Sequence, residues 1–177
     1  MILPKIRDPR LTTIRRGGSL SDRDHHLLAI WAAQCAEHVL GHFEKDFPLD
    51  DRPRKAIEAT MAWAHGDIKT TESKVAAYHS NQAAQGARGA AKFAALSAGQ
   101  AAVVAHVPAH DLGAAAYAIR AAMAAGDGPD GGEKGIAECL WQISQLPEEL
   151  RDVVLEDEKN RNSICWNVFQ HINTIHL

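Results

Sequence analysis

Aromatic side chains are scarce in this chain, at 6% of its 177 residues. Strands draw on aromatic and β-branched residues, so the scarcity argues against a β-sandwich, and the abundance of alanine favours helices. Cysteine is nearly missing too. Cys35, Cys139 and Cys165 are far apart and form no Cys-x-x-Cys pair. That argues against a disulfide framework and a zinc–cysteine site, and fits reduced thiols in a cytoplasm. No apolar run approaches the ~18 residues of a membrane-spanning helix. Arg15-Arg16 is followed by Gly-Gly-Ser-Leu-Ser-Asp rather than by an apolar segment, so export is not expected. Positive charge is not in excess either. The net charge is −3, which offers no global basic field for nucleic acid. A Gly-x-Ser-x-Gly elbow, a dinucleotide-binding glycine pattern and a paired-acid motif are all missing.

What is present is a long apolar centre. Residues 89–125 are mostly alanine, and their only charged side chains are Lys92, Asp111 and Arg120. A helix that is apolar on every side is normally buried, and Val107-Pro108 must break it. The expectation is an all-α fold: a single-domain bundle of about six to eight helices around an Ala-rich central helix pair. Residues 1–20 form an irregular basic N-terminal arm, with Lys5, Arg7, Arg10, Arg15 and Arg16 against Asp8, and residues 21–177 the helical domain. A chain of this length can bury roughly 70% of its unfolded surface, enough for a core without staples.

Around the central pair the spacing predicts further helices. One spans 22–43, capped by Ser21, with Leu28, Trp31, Cys35, Val39 and His42 as its buried stripe. Asp50 to Arg54 opens another, with Pro53 in its first turn, Ile57, Met61 and Ala64 inward, and Gly66 as the stop. A third covers 70–85 with Val75, Ala76, Tyr78 and Ala83 as its apolar face. A loop at 126–132 precedes a helix over 133–145, with Ile136, Leu140 and Ile143 inward. Pro147-Glu148-Glu149 starts a helix that buries Leu150, Val153 and Val154. A short last helix covers 163–169, and 171–177 is either strand-like or loose.

Few residues suggest chemistry. His106 and His110 are four apart, the spacing of a shared metal site, but Pro108 divides them. The plainer reading is a polar junction, with His106 on last-turn carbonyls and His110 at the next helix start. His38 and His42 are four apart with no proline between, at the rim of the first helix's buried stripe. Arg15-Arg16-Gly-Gly-Ser precedes a helix and could hold an anion, though it lacks phosphate-loop spacing. Asp127, Asp130 and Glu133 miss the alternation of a calcium loop. Cys35 reads as a packed thiol. The acids between Glu148 and Glu158 make an acidic face that suits a basic partner.

Several segments together carry a family resemblance. They are Thr13-Ile-Arg-Arg-Gly-Gly-Ser-Leu, Leu28-Ala-Ile-Trp-Ala-Ala-Gln-Cys-Ala-Glu-His-Val-Leu and Asp50-Asp-Arg-Pro-Arg-Lys-Ala-Ile-Glu-Ala. Ala105-His-Val-Pro-Ala-His, Gly113-Ala-Ala-Ala-Tyr-Ala-Ile-Arg and Leu146-Pro-Glu-Glu-Leu-Arg-Asp complete the set. In order, they resemble a bacterial family of immunity proteins of polymorphic toxin systems. Gly41-His42 departs from the apolar Pro-Leu of that pattern. The resemblance implies an all-helical cytoplasmic protein that binds and neutralises a cognate toxin, with no catalytic residue and no cofactor. The partner-binding candidates are Arg15 and Arg16, then Asp50, Asp51, Arg52 and Arg54, then Glu148, Glu149, Asp152 and Glu156. Neither nucleic acid nor membrane is an expected partner, and no oligomeric state is specified. The alternative is a metal- or small-molecule-dependent helical enzyme using His106 and His110, with His38 or His42. A third reading is a helical scaffold without a ligand.

Overall fold

The computed structural model describes residues 3–126 and 130–169. Asp127 and the segment 171–177 lie outside the described residues. Among the described residues seven α-helices follow one another: α1 (Asp22–Asp46), α2 (Arg52–His65), α3 (Thr70–Gly86), α4 (Gly89–Val103), α5 (Asp111–Ala124), α6 (Asp130–Gln145) and α7 (Glu148–Arg161). Short 3-10 turns sit at Pro9–Leu11, Ile14–Arg16, Pro108–His110 and Asn162–Cys165. The described residues contain no strand, only an isolated bridge between Thr13 and Leu20.

The Ala-rich pair, α4 and α5, is the centre. Helix α4 packs against α1, α2, α3 and α5, and α5 packs against α1, α4 and α6. The turn at Pro108–His110 joins them, as the proline requires. Side chains no larger than alanine let the helix backbones approach, and the polar groups at these contacts are serine hydroxyls. Ser73 donates to the Ala102 carbonyl at 2.7 Å, Ser80 to Ala95 at 2.8 Å, and Ser97 to Ala114 at 2.8 Å. A hydroxyl bonded to a backbone oxygen is buried without the cost of an unmet donor.

That packing keeps part of the expected face of α3, Ala83 in the core and Ala76 at its edge, and overturns the rest. Its buried residues are Ser73, Ala77, Ser80, Ala83 and Ala84, whereas Val75 and Tyr78 are exposed. The seam against α4 selects for size rather than hydrophobicity. Helix α6 differs in the same sense. It begins at Asp130, before the expected start, because Gly126 and Gly131 pack backbone to backbone: a Cβ on Gly126 would lie 2.6 Å from the Gly131 nitrogen. Its inner face carries Glu138, Cys139, Gln142 and Ile143, and Leu140 is exposed. Trp31, fully buried in α1, donates its indole N–H to the Gln142 carbonyl at 2.9 Å. The Gln142 amide reaches the Ala115 carbonyl at 3.2 Å and Glu138 Oε1 at 2.8 Å, which ties α6 to α5.

Residues 3–20 fold against the helices. Leu11 and Leu20 are in the core. Ser19 N–H donates to the Pro9 carbonyl at 2.8 Å, and the loop closes so tightly that a Cβ on Gly18 would lie 2.0 Å from the Thr12 oxygen. At the other end, residues 163–169 form a 3-10 turn followed by further turns, not the expected helix.

Helix α7 turns two of its acids inward. Asp157 and Glu158 are buried together with Arg161 and with Asp111 of α5. Arg161 bridges Asp111 at 3.2 Å, pairs with Asp157, and donates to the Ala109 carbonyl at 2.7 Å. Among the described residues Glu158 forms no ion pair, and its Oε2 has no hydrogen-bond partner. Burial, reinforced by Asp111 and Asp157, pushes its pKa from 4.5 up to about 8. The folded chain therefore holds this proton more tightly than the unfolded chain does. The stability it contributes is full below about pH 4.5 and is lost as pH rises through about 8.

Two outcomes follow from this packing. Ala98, fully buried in α4, has no room to grow, so Ala98→Leu lowers stability by about 1–3 kcal/mol or more, read as a lower urea midpoint. Glu158→Gln becomes progressively more stable relative to wild type from pH 5 to pH 9, by about 1 kcal/mol or more at the upper end. A pH series of thermal midpoints checks the sign, and parallel curves for the two proteins would refute it.

Candidate functional site

The sequence candidates separate into two histidine clefts and three charged surfaces. The larger histidine cleft, of about 530 Å³, opens where α1, α4, α5 and α6 meet. His38 and His42 line it together with Lys45, Asp46, Lys134 and Glu138, over a wall of Ala90, Ala122, Ala125 and Ala137. One helical turn separates the two histidines, so α1 presents both to the same space. His38 Nδ1 donates to Glu138 Oε2 at 2.6 Å, and its ring stacks on Trp141 with centroids 3.7 Å apart. Glu138 is 4% exposed and is braced from behind by Gln142. A carboxylate that fixes a histidine's tautomer in this way is the arrangement of a general base or a metal-ligating histidine. Desolvation, followed by the Lys134 charge, lowers the pKa of His42.

His106 and His110 go elsewhere. His106 lines a second cleft, of about 360 Å³, with Arg15, Arg16, His25, His26 and Trp63. Arg16 Nη2 is 3.5 Å from His106 Nδ1. His110 turns to Gln100, with Nδ1 2.7 Å from Oε1. Burial, followed by the Arg161 charge, drives its pKa from 6.5 down to about 4. The carbonyls at the α4–α5 junction are served by other residues. His25 Nε2 donates to Val104 at 2.7 Å, and Arg161 reaches Ala109. Among the described residues no group of three His, Cys, Asp or Glu is arranged to hold a metal ion. The three thiols are buried, and burial pushes Cys139 and Cys165 up to about 12, so neither supplies a thiolate near neutral pH.

The charged candidates are exposed or half-buried, and most face a partner in the chain itself. Arg15 pairs with Asp22 at 2.8 Å. Arg52 forks onto Asp50 at 2.8 and 2.6 Å. Asp51 holds Lys55 at 2.7 Å, and Arg54 ties α2 to α1 through Glu44 at 2.6 Å and Glu37 at 3.3 Å. Glu149 holds Arg23 at 2.6 Å, and Glu156 holds Arg10 at 2.8 Å. Exposed pairs of this kind are screened by solvent and contribute little to stability. Glu148 and Asp152 are exposed and form no ion pair among the described residues.

The tryptophans divide by depth. Trp31 is core, Trp63 and Trp141 are half-buried against histidines, and Trp166 is 43% exposed. Trp63 donates to Thr70 at 3.1 Å and meets the His25 and His26 rings edge-on. Sequence reasoning passed over Glu138, His25 and His26. Glu138 carried a signal: Gly131, Gly135, Glu138 and Gln142 fall at i, i+4, i+7 and i+11, one face of α6.

A protein-family model described as Imm-5 like putative immunity protein matches residues 18–149, most of the chain. No curated protein and no solved structure matches it. The matched span runs from just before α1 into the start of α7, and both histidine pairs fall inside it.

The histidine environments differ enough to be told apart in solution. His110 remains neutral until pH approaches 4, whereas a free histidine titrates near 6.5. Its stabilising contribution is therefore present above about pH 6.5 and is lost as pH falls through about 4, opposite in sign to Glu158. NMR titration of the imidazole carbons measures this, and a His110 midpoint near 6.5 would contradict the burial described here.

Proposed function

Because the chain belongs to the Imm-5 like putative immunity protein family, we propose that it protects the cell that makes it by binding a cognate toxin and covering the toxin's working surface. The family match over residues 18–149 carries this reading. The geometry is compatible with it. A bundle with a tightly packed centre presents its outer helix faces without rearrangement, and pre-organised surfaces lose less entropy on binding. Contact over ~1,200–2,000 Å² is the usual size for a stable complex. Glu148 and Asp152, with Glu149 and Glu156 beside them in α7, offer an acidic edge to a basic toxin surface. Arg15, Arg16, Asp50, Asp51, Arg52 and Arg54 are the further contact candidates, and partner binding there exchanges internal ion pairs for intermolecular ones. The reading places the protein in the cytoplasm. No helix among the described residues is long and apolar enough to cross a membrane.

A second reading has one observation in its favour. The His38–Glu138 pair lines a cleft with His42 and two lysines, which suits a small anionic ligand or an acid–base reaction. His106 and His110 do not share that cleft. An elemental analysis for stoichiometric metal and a ligand screen bear on this reading.

The deciding experiment is co-expression of this chain with the toxin domain encoded beside its gene. The expected outcome is survival with the chain, death without it, and direct 1:1 binding tighter than ~1 μM by calorimetry. A His38→Ala/His42→Ala double variant protects as well as wild type if contact alone neutralises the toxin. If that variant keeps its affinity but loses protection, the second reading takes precedence.

A further inference from the structure

Arg120 is one of the three charged residues in the alanine-rich centre of the chain. It lies on α5, half-buried, and three aromatic rings from three segments close on its guanidinium. The guanidinium carbon is 4.0 Å from the Phe93 ring centre, 4.2 Å from that of Trp166 and 5.9 Å from that of Tyr117. Tyr117 also lies 6.3 Å from Phe93 and 5.0 Å from Trp166, centre to centre. Ring faces attract the cation, but they leave its N–H groups without acceptors. Among the described residues Arg120 forms no hydrogen bond and no ion pair, whereas Arg10, Arg15, Arg23, Arg52, Arg54 and Arg161 each hold an acid. Desolvation, without a compensating carboxylate, lowers its pKa.

The chain strains to keep this arrangement. Trp166 and Asn167 both have φ of 57°, the left-handed region that non-glycine residues avoid, and no other described non-glycine residue has positive φ. Asn162 pins the turn, accepting from Asn167 N–H at 2.8 Å on its carbonyl and from Phe169 N–H at 3.0 Å on its side chain. Cys165, Val168 and Phe169 turn into the core, while Trp166 and Ile164 stay exposed at 43% and 38%. A backbone that buries Cys165 before the tryptophan and Val168 and Phe169 after it, and presents the tryptophan outward, leaves a large apolar ring beside a cation with no carboxylate partner among the described residues.

We propose that Arg120, flanked by Phe93 and Trp166, is an anchor for the toxin, receiving an aspartate or glutamate carboxylate of the toxin surface on its free N–H fork. The proposal rests on the immunity reading and names one contact within it. A planar guanidinium accepts a carboxylate on two parallel hydrogen bonds. The rings hold the fork in place. Arginine and tryptophan are the residue types that most often dominate interface affinity.

Calorimetry with the purified toxin domain tests the anchor. Arg120→Ala weakens binding about 30-fold or more. Arg120→Lys keeps a cation over the rings but loses the fork, and weakens binding about 10-fold while the circular dichroism spectrum is unchanged. Arg120→Glu abolishes binding, and replacing one toxin acid by lysine restores it. Arg120 variants that bind within about twofold of wild type overturn the anchor and leave the immunity reading intact. So does a lower thermal midpoint with unchanged affinity, which marks the stack as a fold staple. If inorganic phosphate occupies Arg120 by NMR and the variants bind toxin normally, the site is a small-anion site and the proposal is wrong. A wild-type chain that fails to bind the toxin domain removes both the immunity reading and the anchor.

Discussion

The close approach of α4 to its neighbours is the constraint from which the rest of this structure follows. Four helices meet one whose buried residues are Ala91, Ala94, Ala95, Ser97, Ala98, Gly99, Ala101 and Ala102. Such a seam offers little side-chain area, so its stability comes from dense backbone contact and from hydroxyls that bond to neighbouring carbonyls. The larger apolar residues are displaced to the flanks. Trp31, Leu28, Leu40 and Phe43 fill the core from α1, and Leu112 and Ile119 from α5. The angles at which the outer helices leave this seam decide where the clefts open.

Polar groups are then distributed by what the small seam cannot cover. On one side, α6 is joined to α1 and α5 by Glu138, Gln142 and the Trp31 indole, and this layer ends at His38 in the cleft. On the other, α7 is held through Arg161 with Asp111 and Asp157, and Glu158 forms no ion pair among the described residues. Replacing such buried ion pairs by apolar residues is often neutral or stabilising, so their presence here calls for a reason other than stability. In this chain Arg161 with Asp111 and Asp157 fixes how α7 is seated on the bundle, and Glu138 with Gln142 adds a polar tie to the packing of α6 on α5. His110 and Glu158 act on stability in opposite senses; His25, lowered by burial, acts with the first, and Asp111 and Asp157, raised by burial, act with the second.

Much of the fold could be read from residues that are large and regularly spaced. The α1 stripe, the Ser21 cap, the Gly66 stop and the Pro108 break all act through local sterics or hydrogen bonding, which a single chain displays. Part of the face of α3 was misread because serine and alanine, not valine and tyrosine, suit a close seam, and that depends on the partner helix. The acids of α7 looked like one solvated face. Asp157 and Glu158 turn inward where Arg161, one turn further along the same helix, meets Asp111, and Asp111 is far from them in sequence. The two histidine pairs had the same spacing and different fates. Continuous helix keeps His38 and His42 in one cleft, and proline sends His106 and His110 apart. Arg120 was visible as a lone charge in an apolar stretch, but nothing near it announced Trp166, 46 residues on.

The alanine seam also sets the direction in which this protein can change. A leucine core can be repaired after mutation, because a neighbour can shrink when one side chain grows. At the contacts of α4 nearly every buried residue of the helix itself is already alanine, serine or glycine, so almost any replacement there is an enlargement. Compensation has to come from the larger side chains that α1, α3 and α5 turn toward it, such as Asn81 against Gly99. Drift is pushed outward, to the exposed sides of α2, α3, α6 and α7. A scaffold fixed at its centre and free at its rim can change its surface without altering its fold.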